Sequence, residues 1–258
     1  MKFLDDHALA AEVARCAGDV LNALRRSPLL EGKALALAGD AIANQVILRL
    51  LQTHRPDDGV LSEESAPDPA RLAKERVWVI DPLDGSREYG EVNQARTDWA
   101  VHVALAIRGI PAACAVALPA TGTVHSTAPP PARPAAPAEK LKIVVSRTRT
   151  PDFASHVAKA LDAELVPMGS AGAKAMAVLN GQAHAYLHAG GQHEWDSCAP
   201  VGVALAAGLH ASRIDGSVCI YNQENTWMPD LLVCRSELAL LFLEAIGETL
   251  KPIPKNHV

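Results

Sequence analysis

The sequence predicts a layered α/β fold with a partly antiparallel sheet. Three observations carry this. The chain has 258 residues and is 49% hydrophobic, enough to close a large core and too apolar for disorder. Helix-period and strand-period segments are interleaved without the strict alternation of βαβ units. A proline-rich stretch, APPPARPAAPAEK (Ala128–Lys140), holds five prolines and reads as an exposed loop or linker between lobes of residues 1–140 and 141–258 that share one compact unit.

The elements follow in order. Leu9, Val13, Ala17, Val20, Leu21 and Leu24 fall at helical spacing, and Ser27-Pro28 stops that helix. A second helix is expected from near Asp40, with Ile42, Val46, Leu50 and Leu51 on one side. Val77–Ile80 reads as a buried strand. Trp99, Val101, Val103, Leu105 and Ile107 alternate with period two, and Ala112–Leu118 follows after a turn. Beyond the prolines come a strand at Leu141–Val145, helices at Phe153–Leu161 and Ala173–Leu179, and a short strand at Ala183–Leu187. Asp196–Ala207 reads as a helix with Asp196 as N-cap and Gly208 as its stop. A strand at Leu231–Cys234 and a helix at Glu237–Leu250 close the chain.

The net charge of −5 leaves no basic footprint for a nucleic-acid polymer, though a nucleotide or other small phosphate ligand is compatible with it. Five cysteines without a CxxC pair fit buried thiols in a reducing compartment. Acidic residues at positions 5 and 6 interrupt any signal-like start, and no uncharged run is long enough for a bilayer. A cytoplasmic protein without membrane contact is expected.

Carboxylates gather at the ends of elements in three separate segments: Glu63 and Glu64 in LSEES, Asp81 and Asp84 in DPLDGS, and Asp196 in EWDSCAP, with Glu194 nearby and Asp40 at a helix start. Brought together without Lys or Arg, they would repel one another unless a hard divalent cation paired them; Mg²⁺ takes such oxygen ligands. In DPLDGS, Pro82 removes a donor, and Gly85 permits a sharp bend that leaves the Gly85 and Ser86 amides for an anion. A surface turn is the bland alternative for DPLDG alone, but the flanking acidic segments outweigh it.

At these residues the chain resembles the lithium-sensitive, Mg²⁺-dependent phosphatases of the inositol monophosphatase superfamily: Glu63-Glu64, then DPLDGS after a strand, then Trp195-Asp196 followed by small residues. Within it, WDSCAP, GSAGAK (Gly169–Lys174) and VVSRTRTP (Val144–Pro151) most resemble the 3′(2′),5′-bisphosphate nucleotidases, the CysQ branch, on its actinobacterial side. The resemblance implies an αβαβα sandwich with two mixed sheets, as in inositol monophosphatase and fructose-1,6-bisphosphatase. It implies that 3′-phosphoadenosine 5′-phosphate, with the 5′-phosphosulfate as a further substrate, is hydrolysed to support sulfate assimilation. Glu63, Asp81 and the Leu83 carbonyl would ligate one Mg²⁺, and Asp81, Asp84 and Asp196 a second; a third ion, substitution by Mn²⁺ and inhibition by Li⁺ and Ca²⁺ are implied as well. Asp40 and Ser86 would orient the attacking water. Gly85, Ser86, Ser146, Arg147, Ser170, Lys174 and Asp196 would bind substrate. A homodimer is compatible with the family.

Two departures stand out. Ser86 replaces the family's usual Thr, keeping the hydroxyl but losing the stiffness of a β-branched side chain. His188 stands where many relatives carry Arg. Other residues have blander readings beside functional ones. His184, His188 and His193 could form a zinc site, but polar strand residues fit better. Lys174 could be a surface lysine, and Arg147 and Arg149 could be solvated. Tyr221-Asn222 could stack on a base. Trp78 and Trp99 read as core, and Glu88 and Glu91 as a solvated loop or substrate rim. Glu64 could support a ligand or hold a third metal. Inositol monophosphate and fructose 1,6-bisphosphate are rival substrates, and a non-catalytic metal- or phosphosugar-binding protein is a rival of another class.

Overall fold

Two five-stranded mixed sheets and three helical layers build the protein, seen in a computed structural model that describes residues 5–132 and 140–250. Helices α1 (Asp6–Arg25) and α2 (Gly32–His54) come first. The first sheet follows, with β1 (Gly59–Ser62), β2 (Arg76–Asp84), the short helix α3 (Ser86–Gly90), β3 (Ala100–Ile107), β4 (Ile110–Leu118) and β5 (Thr123–Ser126). Its strands lie in sequence order, with β1 parallel to β2 and the other pairs antiparallel.

The rest of the chain holds β6 (Lys142–Ser146), α4 (Asp152–Ala160), β7 (Glu164–Met168), α5 (Ala171–Leu179), β8 (Ala185–His193), α6 (Glu194–Ala206), β9 (His210–Ser212), β10 (Trp227–Cys234) and α7 (Ala239–Thr249). The second sheet has the order β7-β6-β8-β10-β9, with β6 parallel to both neighbours and β10 antiparallel to both of its own.

Three buried clusters fix the layers. Trp99, just before β3, and Val101, Val103 and Leu105 of β3 face α1 and α2. The opposite face of the same strand, Ala100, Ala104 and Ala106, packs on α5 and α6 together with Tyr186, Leu231 and Val233 of the second sheet. The far side of that sheet buries Ile143, Val145 and Leu232 against α4 and α7. The result is the αβαβα sandwich that the resemblance implied. Small residues let α6 approach the first sheet closely: a Cβ on Gly202 would fall 2.3 Å from Cys114 Sγ. Trp78 and Trp99 are fully buried, as expected of core residues.

Several boundaries differ from the sequence reading. Helix α2 begins eight residues before Asp40, because Gly39, which weakens the helical signal, is required by packing: a Cβ there would lie 2.8 Å from the Tyr89 ring. By length and composition α2 could cross a bilayer, but it packs on α1 and β2. Asp196 is not the N-cap of α6. His193 holds that place, and Asp196 sits at the third helical position with its carboxylate accepting from the His193 amide at 2.7 Å. Strand β8 runs beyond the expected end at Leu187 to His193, through Gly190 and Gly191, both at φ +74. The short strands β1, β5, β7 and β9 carry too few residues for a periodic signal. Residues 128–132 lie mostly exposed, in keeping with a loop, and residues 133–139 fall outside the described residues.

Candidate active site

Strand β2 delivers the central carboxylates. Its pairing with β3 runs regularly to Asp81, opposite His102, then shifts before Asp84 pairs with Ala100. Pro82 has no N–H to give to the ladder, so the shift falls there. The Asp81 carboxylate accepts from the Leu83 amide at 3.0 Å, which holds the turn closed. Gly85 adopts φ +86 and opens α3; a side chain there would press on Asp98, Trp99 and Ser170.

Glu63 follows β1, with its amide bonded to the Ile80 carbonyl of β2. Asn44 of α2 staples this loop: its carboxamide accepts from Ser62 Oγ at 2.8 Å and donates to Ser65 Oγ at 3.1 Å and the Glu64 carbonyl at 3.3 Å. Asp196 arrives from α6. Asp84 is the best anchored of the set: its Oδ2 accepts from Ser170 Oγ at 2.5 Å and the Gly172 amide at 2.8 Å, both at the start of α5.

These groups perturb one another strongly. Burial, then the charges of Glu63 and Asp84, push the Asp81 carboxyl well above the ordinary carboxylate range. Glu63 is raised to about 8 by burial and then by Asp196 and Asp84. Asp196 is raised to about 6 by burial and Asp84. Asp84 runs the other way. Burial would raise it, but His102, then Lys174 and Ser170, hold it below the ordinary value. The basic side chain nearest the pair is His102, fully buried on β3, with ligand-competent atoms of Asp81, Asp84 and His102 all within 4.8 Å of one another. Asp81 and Asp84, with Glu63 and Asp196 near enough to shift them, make a crowded oxygen-rich set of the kind that suits a hard cation.

The second predicted pair lies beside them. Asp40, buried on α2, is raised to about 7 by burial and by Glu64. Ser86 Oγ lies 3.5 Å from Asp40 Oδ1, but its nearer acceptor is the Leu83 carbonyl at 3.1 Å.

Above these residues opens a cavity of about 270 Å³, whose lining includes Asp84, Gly85, Ser86, Ser146, Arg147, Ser170, Lys174 and Asp196. It therefore gathers every residue that the resemblance implied for substrate binding. Their states differ. Lys174 is no surface lysine: it is buried, donates to the Gly169 and Ser170 carbonyls at 2.8 and 2.7 Å, lies 5.1 Å from the Tyr186 ring centroid, and is pushed down to about 8 by burial. Arg147 reaches the cavity wall, yet its guanidinium is engaged by Glu88 at 2.6 Å and Asp98 at 2.5 Å. Glu88 is consequently buried rather than solvated, and Glu91 pairs with Arg87 and Arg96.

Other residues take structural roles. Tyr221 cannot stack on a base, since it is fully buried with its hydroxyl 3.2 Å from Ser197 Oγ. Glu194 accepts from the Asn222 and Gln223 amides and ties down that loop. The three histidines do not form a zinc site: His184 bonds the Lys142 amide, His193 stacks on Trp195, and His188 faces the cavity, buried with neither ring nitrogen hydrogen-bonded. His102 was missed; a lone His among the alanines of a buried strand face was its signal.

The sequence matches the model of the inositol monophosphatase family over residues 8–250. It is 53% identical over 222 residues to the 3′-phosphoadenosine 5′-phosphate phosphatase of Mycobacterium bovis, covering 83% of this chain and 82% of that one. The protein of the same description from Mycobacterium leprae is 46% identical over 262 residues, covering 95% and 94%. In fold it resembles the crystal structure of CysQ from Bacteroides thetaiotaomicron, at a TM-score of 0.77 and 21% identity, over 91% of this chain and 98% of the other. The chain belongs to the inositol monophosphatase family.

Proposed function

We propose that the protein is a Mg²⁺-dependent phosphomonoesterase that removes the 3′-phosphate from 3′-phosphoadenosine 5′-phosphate, giving AMP. The observation that carries this reading is the convergence of Glu63, Asp81, Asp84 and Asp196 beneath a cavity walled by Ser146, Ser170 and Lys174. The relatives of matching description support the choice of substrate.

Glu63, Asp81, Asp84, Asp196 and the Leu83 carbonyl would hold the metal. When bound, it would neutralise phosphate charge and make a water more acidic near neutral pH. The chain's own groups do the rest. Ser86 stands between the cavity and Asp40, so its Oγ can accept a proton from the attacking water while passing its own to Asp40 Oδ1. Asp40, poised at about 7, is able to take that proton near neutrality and release it afterwards. Burial of Lys174 keeps a donor on the cavity floor without opening it to solvent. No side-chain nucleophile is required.

Phosphate release is measured from 3′-phosphoadenosine 5′-phosphate, inositol 1-phosphate and fructose 1,6-bisphosphate, each with Mg²⁺ and with EDTA. The expected result is a kcat/KM highest for the nucleotide by at least about tenfold, and abolished by EDTA. Comparable values on inositol 1-phosphate would overturn the choice of substrate. Activity that survives EDTA would overturn the metal reading.

A further inference from the structure

The proposed substrate carries two anionic groups, and the carboxylate cluster accounts for only one of them. Four arginine and lysine side chains line the cavity: Arg87, Arg147, Arg149 and Lys174. Three are already committed. Arg87 pairs with Glu91 on the outer surface. Arg147 is held between Glu88 and Asp98, so it braces α3 against the β6 turn and has spent its charge there. Lys174 has two of its three N–H groups on backbone carbonyls. His188 adds no charge, for burial, then Lys174, push it down to about 4.

Arg149 is different. Among the described residues it pairs with no carboxylate; its one side-chain hydrogen bond runs from Nη1 to the Gly191 carbonyl at 3.2 Å. That bond aims it. Its own amide is fixed by Ser146 Oγ at 3.2 Å, in a turn closed by Thr150 Oγ1 on the Ser146 carbonyl at 2.8 Å. Across the cleft, Gly191 leaves room for the guanidinium: a Cβ there would fall 2.3 Å from Nη1. The side chain therefore lies over the bend of β8 with Nε and Nη2 available, the two-donor edge that suits a phosphate.

We infer that Arg149, rather than Arg147, binds the phosphate of the substrate that is not cleaved, and so selects nucleoside bisphosphates over monophosphates. The inference rests on the proposed nucleotide substrate. It is a matter of specificity, because Arg149 contacts neither the carboxylate cluster nor Ser86.

The test compares adenosine 3′,5′-bisphosphate with adenosine 3′-monophosphate, which share the scissile phosphate and differ in the second one. For the wild type, kcat/KM should favour the bisphosphate. In Arg149→Gln that preference should shrink by about ten- to a hundredfold, mainly through KM for the bisphosphate. Arg149→Lys should recover part of it. Arg147→Gln should instead lower the melting temperature and leave the ratio within about twofold. The inference is overturned if Arg149→Gln slows both substrates equally, if the ratio does not move, or if Arg147→Gln is the variant that collapses it. A wild type that cleaves both nucleotides equally well removes the role of Arg149 and leaves the phosphatase standing, whereas a wild type that cleaves neither overturns the proposed function and this inference together.

Discussion

The Nε2 atom of His102 lies 3.2 Å from Oδ2 of Asp84, with the imidazole fully buried between β3 and the first turns of α5 and α6. Its Nδ1 is 3.0 Å from the Trp195 carbonyl, which can only accept, so Nδ1 carries a hydrogen. One ring thus joins the strand carrying Asp84 to the helix carrying Asp196. The space for it exists because residue 172 is a glycine: a Cβ there would sit 2.1 Å from Nε2.

If His102 compensates Asp84, its loss matters most when no metal is present. His102→Leu is expected to destabilise the metal-free protein by about 3 kcal/mol, the order for stripping one partner from a buried pair. Added Mg²⁺ should restore more stability to this variant than to the wild type, since a cation then replaces the missing charge. Denaturant melts with EDTA and with Mg²⁺ measure both. Equal losses in the two conditions would mean that the ring serves packing alone.

Asp81 and Asp84 should part company when neutralised. Both Asp81→Asn and Asp84→Asn are expected to cut turnover by about a hundredfold or more. In EDTA near pH 7.5, however, Asp81→Asn should raise the melting temperature, because Glu63 and Asp84 repel the native carboxylate. Asp84→Asn should lower it, because His102 and Lys174 attract that one. Calorimetry on the two variants decides; matching shifts would contradict the opposed electrostatics.

Much of this site was legible in the sequence because its chemistry is local. Asp81, Pro82, Asp84 and Gly85 each announce a turn at the end of a strand, and Ser170 and Lys174 lie at the N-cap and in the first turn of one helix. What was not legible depends on residues distant in the chain. Arg147 seemed free until folding brought Glu88 and Asp98 to it, 59 and 49 positions earlier. Gly39 disguised the start of α2 because its reason is the ring of Tyr89. His102 was passed over since the alternation of β3 was read from its large residues, while the chemistry sits on the alanine face.

The pH dependence of the metal-free protein follows from the same charges. Asp40, Asp196 and Asp81 all have folded-state values raised above their ordinary ones. A raised carboxyl contributes stability that is full below the unfolded value and lost as pH rises through the folded one. In EDTA these carboxyls should therefore lower stability from about pH 4 through about pH 7, the span between the ordinary value of 3.8 and the raised value of Asp40, outweighing the opposite trend of the single buried His188 below its ordinary 6.5. The Glu63 carboxyl is crowded by its neighbours but the residue keeps much of its surface in water, so its share is discounted. Mg²⁺ should flatten the decline. Melting temperatures at stepped pH test this, and a stability that rises over that range in EDTA would contradict it.

Ser86 carries the last prediction. Its hydroxyl donates more closely to the Leu83 carbonyl than to Asp40, so it braces the turn at Leu83 and stands in the proposed path of the proton. Ser86→Ala should lower kcat by about a hundredfold. It should also move the acid limb of the kcat/KM profile to higher pH, because the hydroxyl is the group that lowers Asp40 against burial and Glu64. Ser86→Thr keeps the donor and adds a β-branch that limits its rotamers, so it should retain or raise kcat without moving that limb. Asp40→Asn should remove the limb altogether. Full pH profiles of the three variants distinguish a proton path through Asp40 and Ser86 from a purely structural hydroxyl, which would change kcat and leave the profile where it was.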